Sequence, residues 1–305
     1  MSLLSDLFVR PVSAPCQTGE SPFWHPVEQA LYWCDVPARC LYRLEPTTGA
    51  VRRWDFESEL SACAPILGGG LLLAMRDGLW RFDPDAFRLH RVAAPPYAPT
   101  EQRFNDGKCD PMGRFWVGAL HDARENKAAL YCFDRRRGRH AMTERVGGMA
   151  NVNGLGWSPD ARTLYWADTK VHTVFAASHD PASGELSARR VFHQFAGRVE
   201  GQSAEAYGGR PDGAAVDVEG CYWVALYEGA RLVRLSPAGV VLQTLPLPVR
   251  CPTMPCFGGP DLKTLYITSA RAHRPAAELL DMPLSGCVLS VEMPVAGLPV
   301  NFALI

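Results

Sequence analysis

A chain of 305 residues with a formal net charge of -1, 47% hydrophobic and 21% charged residues has the composition of an ordinary globular protein. Near-neutral charge argues against nucleic acid or an anionic membrane as the main partner, since either is met with a basic patch. No apolar stretch reaches the length of a membrane span, and Met1–Arg10 is too short and too broken by Asp6 to read as a secretory signal, so a cytoplasmic protein is expected.

In chain order, an apolar-aromatic pair recurs as Tyr32-Trp33, Phe115-Trp116, Tyr165-Trp166 and Tyr222-Trp223, with Leu72-Leu73 and Tyr266-Ile267 in the same role. The spacing is about 40 to 57 residues, which is that of a propeller repeat. Each pair follows a Pro, Gly or Asp turn such as Ser158-Pro159-Asp160 or Asp217-Val218-Glu219-Gly220. Alternating strands come next, as in Leu41-Tyr42-Arg43-Leu44, Leu79-Trp80-Arg81-Phe82 and Leu232-Val233-Arg234-Leu235. With 27 glycines and 25 prolines, long helices are excluded. Six units of about 51 residues leave room for four short strands each. The reading is a six-bladed β-propeller, all-β, over residues 1–305 as a single domain, with residues 1–14 as an extension closing or flanking the ring. A pair of β-sandwiches has similar strand spacing but does not explain the returning aromatic pair. Length alone suggests two domains, but closed all-β folds commonly run this long as one unit.

The ten cysteines show no Cys-x-x-Cys and no zinc-site spacing, so buried free thiols are expected. The basic run Arg135-Arg136-Arg137 with Arg139 reads as a solvated hairpin tip. Gly68-Gly69-Gly70 has no following Lys-Ser or Lys-Thr and reads as a turn. Neither a Gly-x-Ser-x-Gly elbow nor a His-Glu-x-x-His pattern is present.

The chemistry points instead to short polar segments. Gly19-Glu20-Ser21-Pro22, Asn153-Gly154-Leu155 and Pro211-Asp212-Gly213 read as turns just before three different blades. In a propeller such positions face the central channel, which brings together Glu20, Asn153 and Asp212. Two carboxylates and an amide oxygen suit calcium, magnesium, manganese or ferrous iron better than a soft ion. Taken singly, Asn-Gly and Asp-Gly are ordinary turn dipeptides.

Those segments, with Arg103-Phe104-Asn105-Asp106-Gly107-Lys108 and Cys256-Phe257-Gly258-Gly259, resemble the regucalcin/gluconolactonase family from about Pro15 to Ala270. The resemblance implies a six-bladed propeller, one divalent ion (calcium, zinc, magnesium, manganese or ferrous iron) on Glu20, Asn153 and Asp212, and Asp212 as general base. It implies Arg103 and Asn105 as substrate-binding residues. Where the family supplies a further substrate-contacting carboxylate, an ungapped match puts alanine within Leu120-His121-Asp122-Ala123-Arg124-Glu125, leaving Asp122 or Glu125 as replacements. The segment Glu200 to Arg210, before Asp212, is longer than in the animal members of the family and is expected to form part of the channel rim.

The implied reaction is hydrolysis of a sugar lactone to its acid by a monomer or weak homo-oligomer. Two alternatives stand beside it: a non-catalytic calcium-binding regulator, and a metal-dependent hydrolase of another ester class.

Overall fold

The computed structural model describes residues 2–4 and 7–305. Met1, Ser5 and Asp6, part of the expected N-terminal extension, lie outside the described residues, as does the side chain of Arg139. The chain forms six antiparallel sheets in sequence order, the blades of a six-bladed β-propeller. Blades 1 to 5 begin with innermost strands Gly19–His25, Leu60–Pro65, Gln102–Cys109, Val152–Trp157 and Arg210–Val216. Blade 6 begins with Cys251–Gly258 and draws on both ends of the chain. Its third strand, Leu289–Glu292, pairs with Arg10–Pro11, which becomes the outermost strand and closes the ring. Ser2–Leu3 adds a parallel strand to the outside of blade 5.

The aromatic repeat has a packing cause. Every such pair falls in the second strand of its blade, for example Ala30–Asp35 and Thr163–Asp168. A second strand has neighbours on both edges and a blade against each face, so nearly every residue is buried, and the sequence becomes a continuous apolar run. Outermost strands such as Ala50–Asp55 and Leu186–Gln194 are mostly exposed and polar. Among the described residues the core divides into six clusters, one between each pair of neighbouring blades. Tyr32, Trp54 and Phe82 fill the first interface. Trp24, Trp33, Cys256 and Tyr266 fill the last, between blades 6 and 1, so the ring closes through packing as well as pairing. Burial of such side chains contributes roughly 1.5 to 3 kcal/mol each.

The turns before the aromatic pairs are also explained. Asp110 Oδ1 accepts the backbone N–H groups of Met112 and Arg114, while its Oδ2 takes Trp116 Nε1 at 2.9 Å. Asp217 does the same for Glu219, Cys221 and Trp223. One carboxylate thus shapes the turn and satisfies the buried indole of the next strand. All ten cysteines are buried and free. Arg136 of the basic run pairs with Asp134 at 2.8 Å in a 3-10 turn between strands.

The residues after blade 6 cross one end of the channel. Leu298 N–H donates to Val216 O, Ala303 N–H to Pro65 O and Leu304 N–H to Gly113 O, tying the segment to blades 5, 2 and 3. No described helix is long and apolar enough to cross a membrane.

Candidate active site

The polar segments expected as turns ahead of the first strands lie inside those strands. Each of the six innermost strands breaks register with its partner in its first half: between Glu20 and Phe23, Leu60 and Ala62, Phe104 and Gly107, Asn153 and Gly156, Pro211 and Ala214, and Pro252 and Met254. Such a bulge turns the local backbone and re-aims a side chain. At or beside these bulges stand Glu20, Ser61, Asn105, Asn153, Asp212 and Thr253, one polar residue per blade. Glu20, Asn105, Asn153 and Asp212 line a cavity of about 460 Å³ at one end of the channel, together with Arg103. A second cavity, about 340 Å³ and lined by Lys108, Cys63, Trp157 and Met254 among others, occupies the other end, beneath the crossing segment. No residue lines both, so the channel is divided.

A relay of hydrogen bonds fixes the polar ring. Thr169 Oγ1 donates to Pro211 O (2.8 Å) and accepts Asn153 Nδ2 (2.7 Å). Asn153 Oδ1 accepts Asn105 Nδ2 at 2.7 Å, and that amide also reaches Asn151 Oδ1 and Val152 O. Arg103 Nη1 donates to Asn105 Oδ1 (2.9 Å), Phe104 O and Ser61 Oγ. Both Asn amides are therefore oriented, and Asn153 Oδ1 keeps one lone pair for a ligand. Gly154 follows with φ +65°, and its carbonyl accepts the Tyr222 hydroxyl at 2.6 Å.

The carboxylates are treated differently. Among the described residues no side chain forms a hydrogen bond or ion pair with the Glu20 or Asp212 carboxylate, and only the Ser21 backbone N–H supports Glu20. Burial, then the charges of Asp212 and Asp106, push the Glu20 carboxyl well above its usual range, with Arg103 opposing. Burial pushes Asp212 up as well, against the nearby Arg210, Arg124 and Arg103. Two desolvated carboxylates without side-chain partners, next to an oriented amide oxygen, are an unfavourable arrangement that a divalent cation relieves. The residues present fit such an ion. Among the described residues no cluster of three or more His, Cys, Asp or Glu that could hold a metal ion forms.

The loop after the second strand of blade 3 departs from the expectation. Neither Asp122 nor Glu125 lines the cavity. Arg76 holds Asp122 outward through two hydrogen bonds of 2.9 and 3.2 Å, and Glu125 pairs with Lys127 on the surface at 2.6 Å. Arg124, between them, takes a left-handed backbone (φ +58°) and lines the cavity. Arg210 and Lys170 join it there. Arg210 ends the segment expected at the channel rim, whereas nothing in the sequence pointed to Lys170. His121 lies buried beside the loop, its Nδ1 accepting the Glu125 N–H.

A profile of the SMP-30/Gluconolactonase/LRE-like region matches residues 18–271. The chain belongs to this family. It is 41% identical over 287 residues to a 6-deoxy-6-sulfogluconolactonase of Pseudomonas putida, covering 94% of both chains. It is 31% identical to regucalcin of Bos taurus, over 93% of this chain and 94% of that one. A solved calcium-binding regucalcin of Agrobacterium tumefaciens superposes over 100% of both chains with a TM-score of 0.91 at 24% identity, which supports the fold. In this SMP-30/gluconolactonase chain the bulged innermost strands supply the cavity's ring of polar side chains.

Proposed function

We propose that the protein hydrolyses a sugar lactone to the corresponding sugar acid, with one divalent ion held by Glu20, Asn153 and Asp212. Family membership and the lactonase name of the 41% identical relative support the reaction class. The observation that carries the site assignment is the pair of unpartnered carboxylates, Glu20 and Asp212, facing the same cavity as the Arg103 guanidinium. When bound, the ion supplies Lewis-acid polarisation and makes water a better nucleophile near neutral pH.

The remaining work falls to side chains. Asp212, a carboxylate at the reacting end of the cavity, takes the proton of the attacking water as the new C–O bond forms at the lactone carbonyl. It returns that proton to the ring oxygen as the ring C–O bond breaks, leaving a carboxyl group and a hydroxyl. Arg103 Nη1 is held by Ser61, Phe104 and Asn105, which points the rest of the fork at the cavity to donate to sugar hydroxyls. Asn105 contributes by locking both Arg103 and Asn153, a positioning role in addition to any contact with substrate. A calcium store without catalysis has no use for a desolvated guanidinium beside the carboxylates.

The test is a panel of aldonolactones assayed with metal-stripped protein, before and after adding single divalent ions. Hydrolysis restored by at least one ion, and lost in Glu20→Gln, is the expected result. Full activity of the stripped protein refutes the ion's role, and no hydrolysis under any condition refutes the reaction.

A further inference from the structure

The rim of the cavity carries more positive charge than its floor requires. Arg124 is exposed at the mouth, and its guanidinium has no hydrogen bond or ion pair with any described residue. Arg210 enters from the start of blade 5, stacked over the Tyr227 ring at 5.0 Å and paired with Glu228 at 3.1 Å. Glu228 is shared: Arg274 approaches it at 2.9 Å and Arg198 at 3.9 Å, so one carboxylate serves three guanidinium groups. Lys170, from blade 4, donates its Nζ to Arg124 O at 2.7 Å and to Asn126 Oδ1, with no carboxylate of a described residue within ion-pair distance. That bond pins the Arg124 loop to blade 4. Burial depresses the proton affinity of Arg124, and the charge of Arg210 adds to this while Asp212 and Asp122 oppose it, so the two guanidinium groups act on one another across the mouth.

Asp212 lies near both arginines, but neither is within ion-pair distance of it or of Glu20. Once a dication balances those two carboxylates, Arg124 and Lys170 remain without an ion-pair partner among the described residues, and Arg103 keeps only the charge of Glu59, which Arg76 already holds at 2.6 Å. Like charges held together in a partly desolvated pocket are unfavourable unless a ligand supplies the opposite sign. A neutral sugar lactone does not. Arginine forks match the geometry of sulfonate, phosphate and carboxylate oxygens.

We propose that Arg124, Arg210 and Lys170 form an oxyanion clamp at the mouth of the well, selecting lactones that carry an anionic group on the carbon remote from the carbonyl. The inference rests on the lactonase reading and narrows its substrate class. The division of labour is spatial: the floor, with Asn153 and Asp212 buried and Glu20 half-buried, faces the ester, and the rim faces the tail. The carboxylates flanking Arg124 are turned away by Arg76 and Lys127, which removes the groups that would repel such a tail.

The experiment compares kcat/KM for gluconolactone with that for its 6-sulfonated, 6-phosphorylated and 6-carboxylated analogues, in the wild type and in Arg124→Gln, Arg210→Gln and Lys170→Gln. The wild type is expected to prefer at least one anionic lactone by about tenfold or more, and the analogue preferred identifies the oxyanion. Arg124→Gln is expected to reduce the anionic-to-neutral ratio about ten- to hundredfold, chiefly through KM. Arg124→Lys should recover part of it, and added salt should erode it. Equal efficiency on neutral and anionic lactones in the wild type, or a ratio unmoved by all three substitutions, overturns the clamp. If no lactone is hydrolysed the reaction assignment falls by itself. Calorimetry with open-chain 6-deoxy-6-sulfogluconate and gluconate then decides the clamp: tighter binding of the sulfonate, lost in Arg124→Gln, upholds it, and equal binding refutes it.

Discussion

Replacing Gly154 by alanine perturbs the site through its backbone. Gly154 sits at φ +65°, and a Cβ there stands 2.3 Å from the Tyr222 hydroxyl and 3.1 Å from Asp212 O. The left-handed backbone costs an alanine about 1 to 2 kcal/mol. The methyl also displaces the Tyr222 hydroxyl from Gly154 O, a buried bond of 2.6 Å whose loss costs about 1 to 3 kcal/mol. The total is about 2 to 5 kcal/mol. Unfolding entropy of about 2.1 cal/mol/K per residue makes about 0.6 kcal/mol/K for the whole chain, so Tm is expected to fall by about 3 to 8 °C. Scanning calorimetry on a double-mutant cycle with Tyr222→Phe checks the cause. The phenylalanine variant has already given up the hydroxyl, so the double variant loses that bond once and the cycle is non-additive by about 1 to 3 kcal/mol. Additive losses refute the clash. Because Gly154 follows Asn153 and abuts Asp212 O, the single variant is also expected to bind the ion more weakly.

Asp212→Asn should keep the fold and lose about two to four powers of ten in turnover, and activity within about threefold of wild type at saturating ion excludes Asp212 as the base. In the metal-free protein the folded-state proton affinities of Glu20 and Asp212 lie above their unfolded values, so the folded state binds more protons, and stability falls as pH rises from the ordinary carboxylate range through the raised values. Glu20→Gln should therefore gain in Tm over the metal-free wild type by a margin that widens with pH; a constant or shrinking margin counts against the paired carboxylates. Arg103→Ala should raise KM about ten- to hundredfold for a polyhydroxylated lactone and less for an unsubstituted ring. Equal losses on the two substrates mean that Arg103 does not read hydroxyls.

The blades were legible because a strand buried on both faces has only one way to be written, and Tyr32-Trp33 or Tyr222-Trp223 shows it directly. The innermost strands were not. Their polar, glycine- and proline-bearing segments obey turn chemistry because they contain bulges, and a bulge borrows the residues of a turn. The ring donors Glu20, Asn153 and Asp212 could still be picked out, since each occupies the same place relative to its aromatic pair. The rim could not. Which residue of Asp122-Ala123-Arg124-Glu125 faces inward depends on Arg76, a whole blade earlier, taking the Asp122 carboxylate. Arg124 and Arg210 come from blades 3 and 5 and share the cavity only because the blades are arranged around one axis.

The six bulges have a consequence for how such a site changes over time. A new donor normally has to be bought with a local rearrangement of the chain, but here the rearrangement is already present in every blade. Ser61 and Thr253 occupy two of the six places with hydroxyls spent on structure, Ser61 accepting from Arg103 and Thr253 bonded to Gly19 O and Thr268. Exchange of one side chain at any of these places alters the charge and hardness of the well while the strands, turns and inter-blade cores stay as they are. The choice of ion and the choice of ligand are thus separable by single substitutions, and a lineage can move between chemistries without passing through an unfolded intermediate sequence.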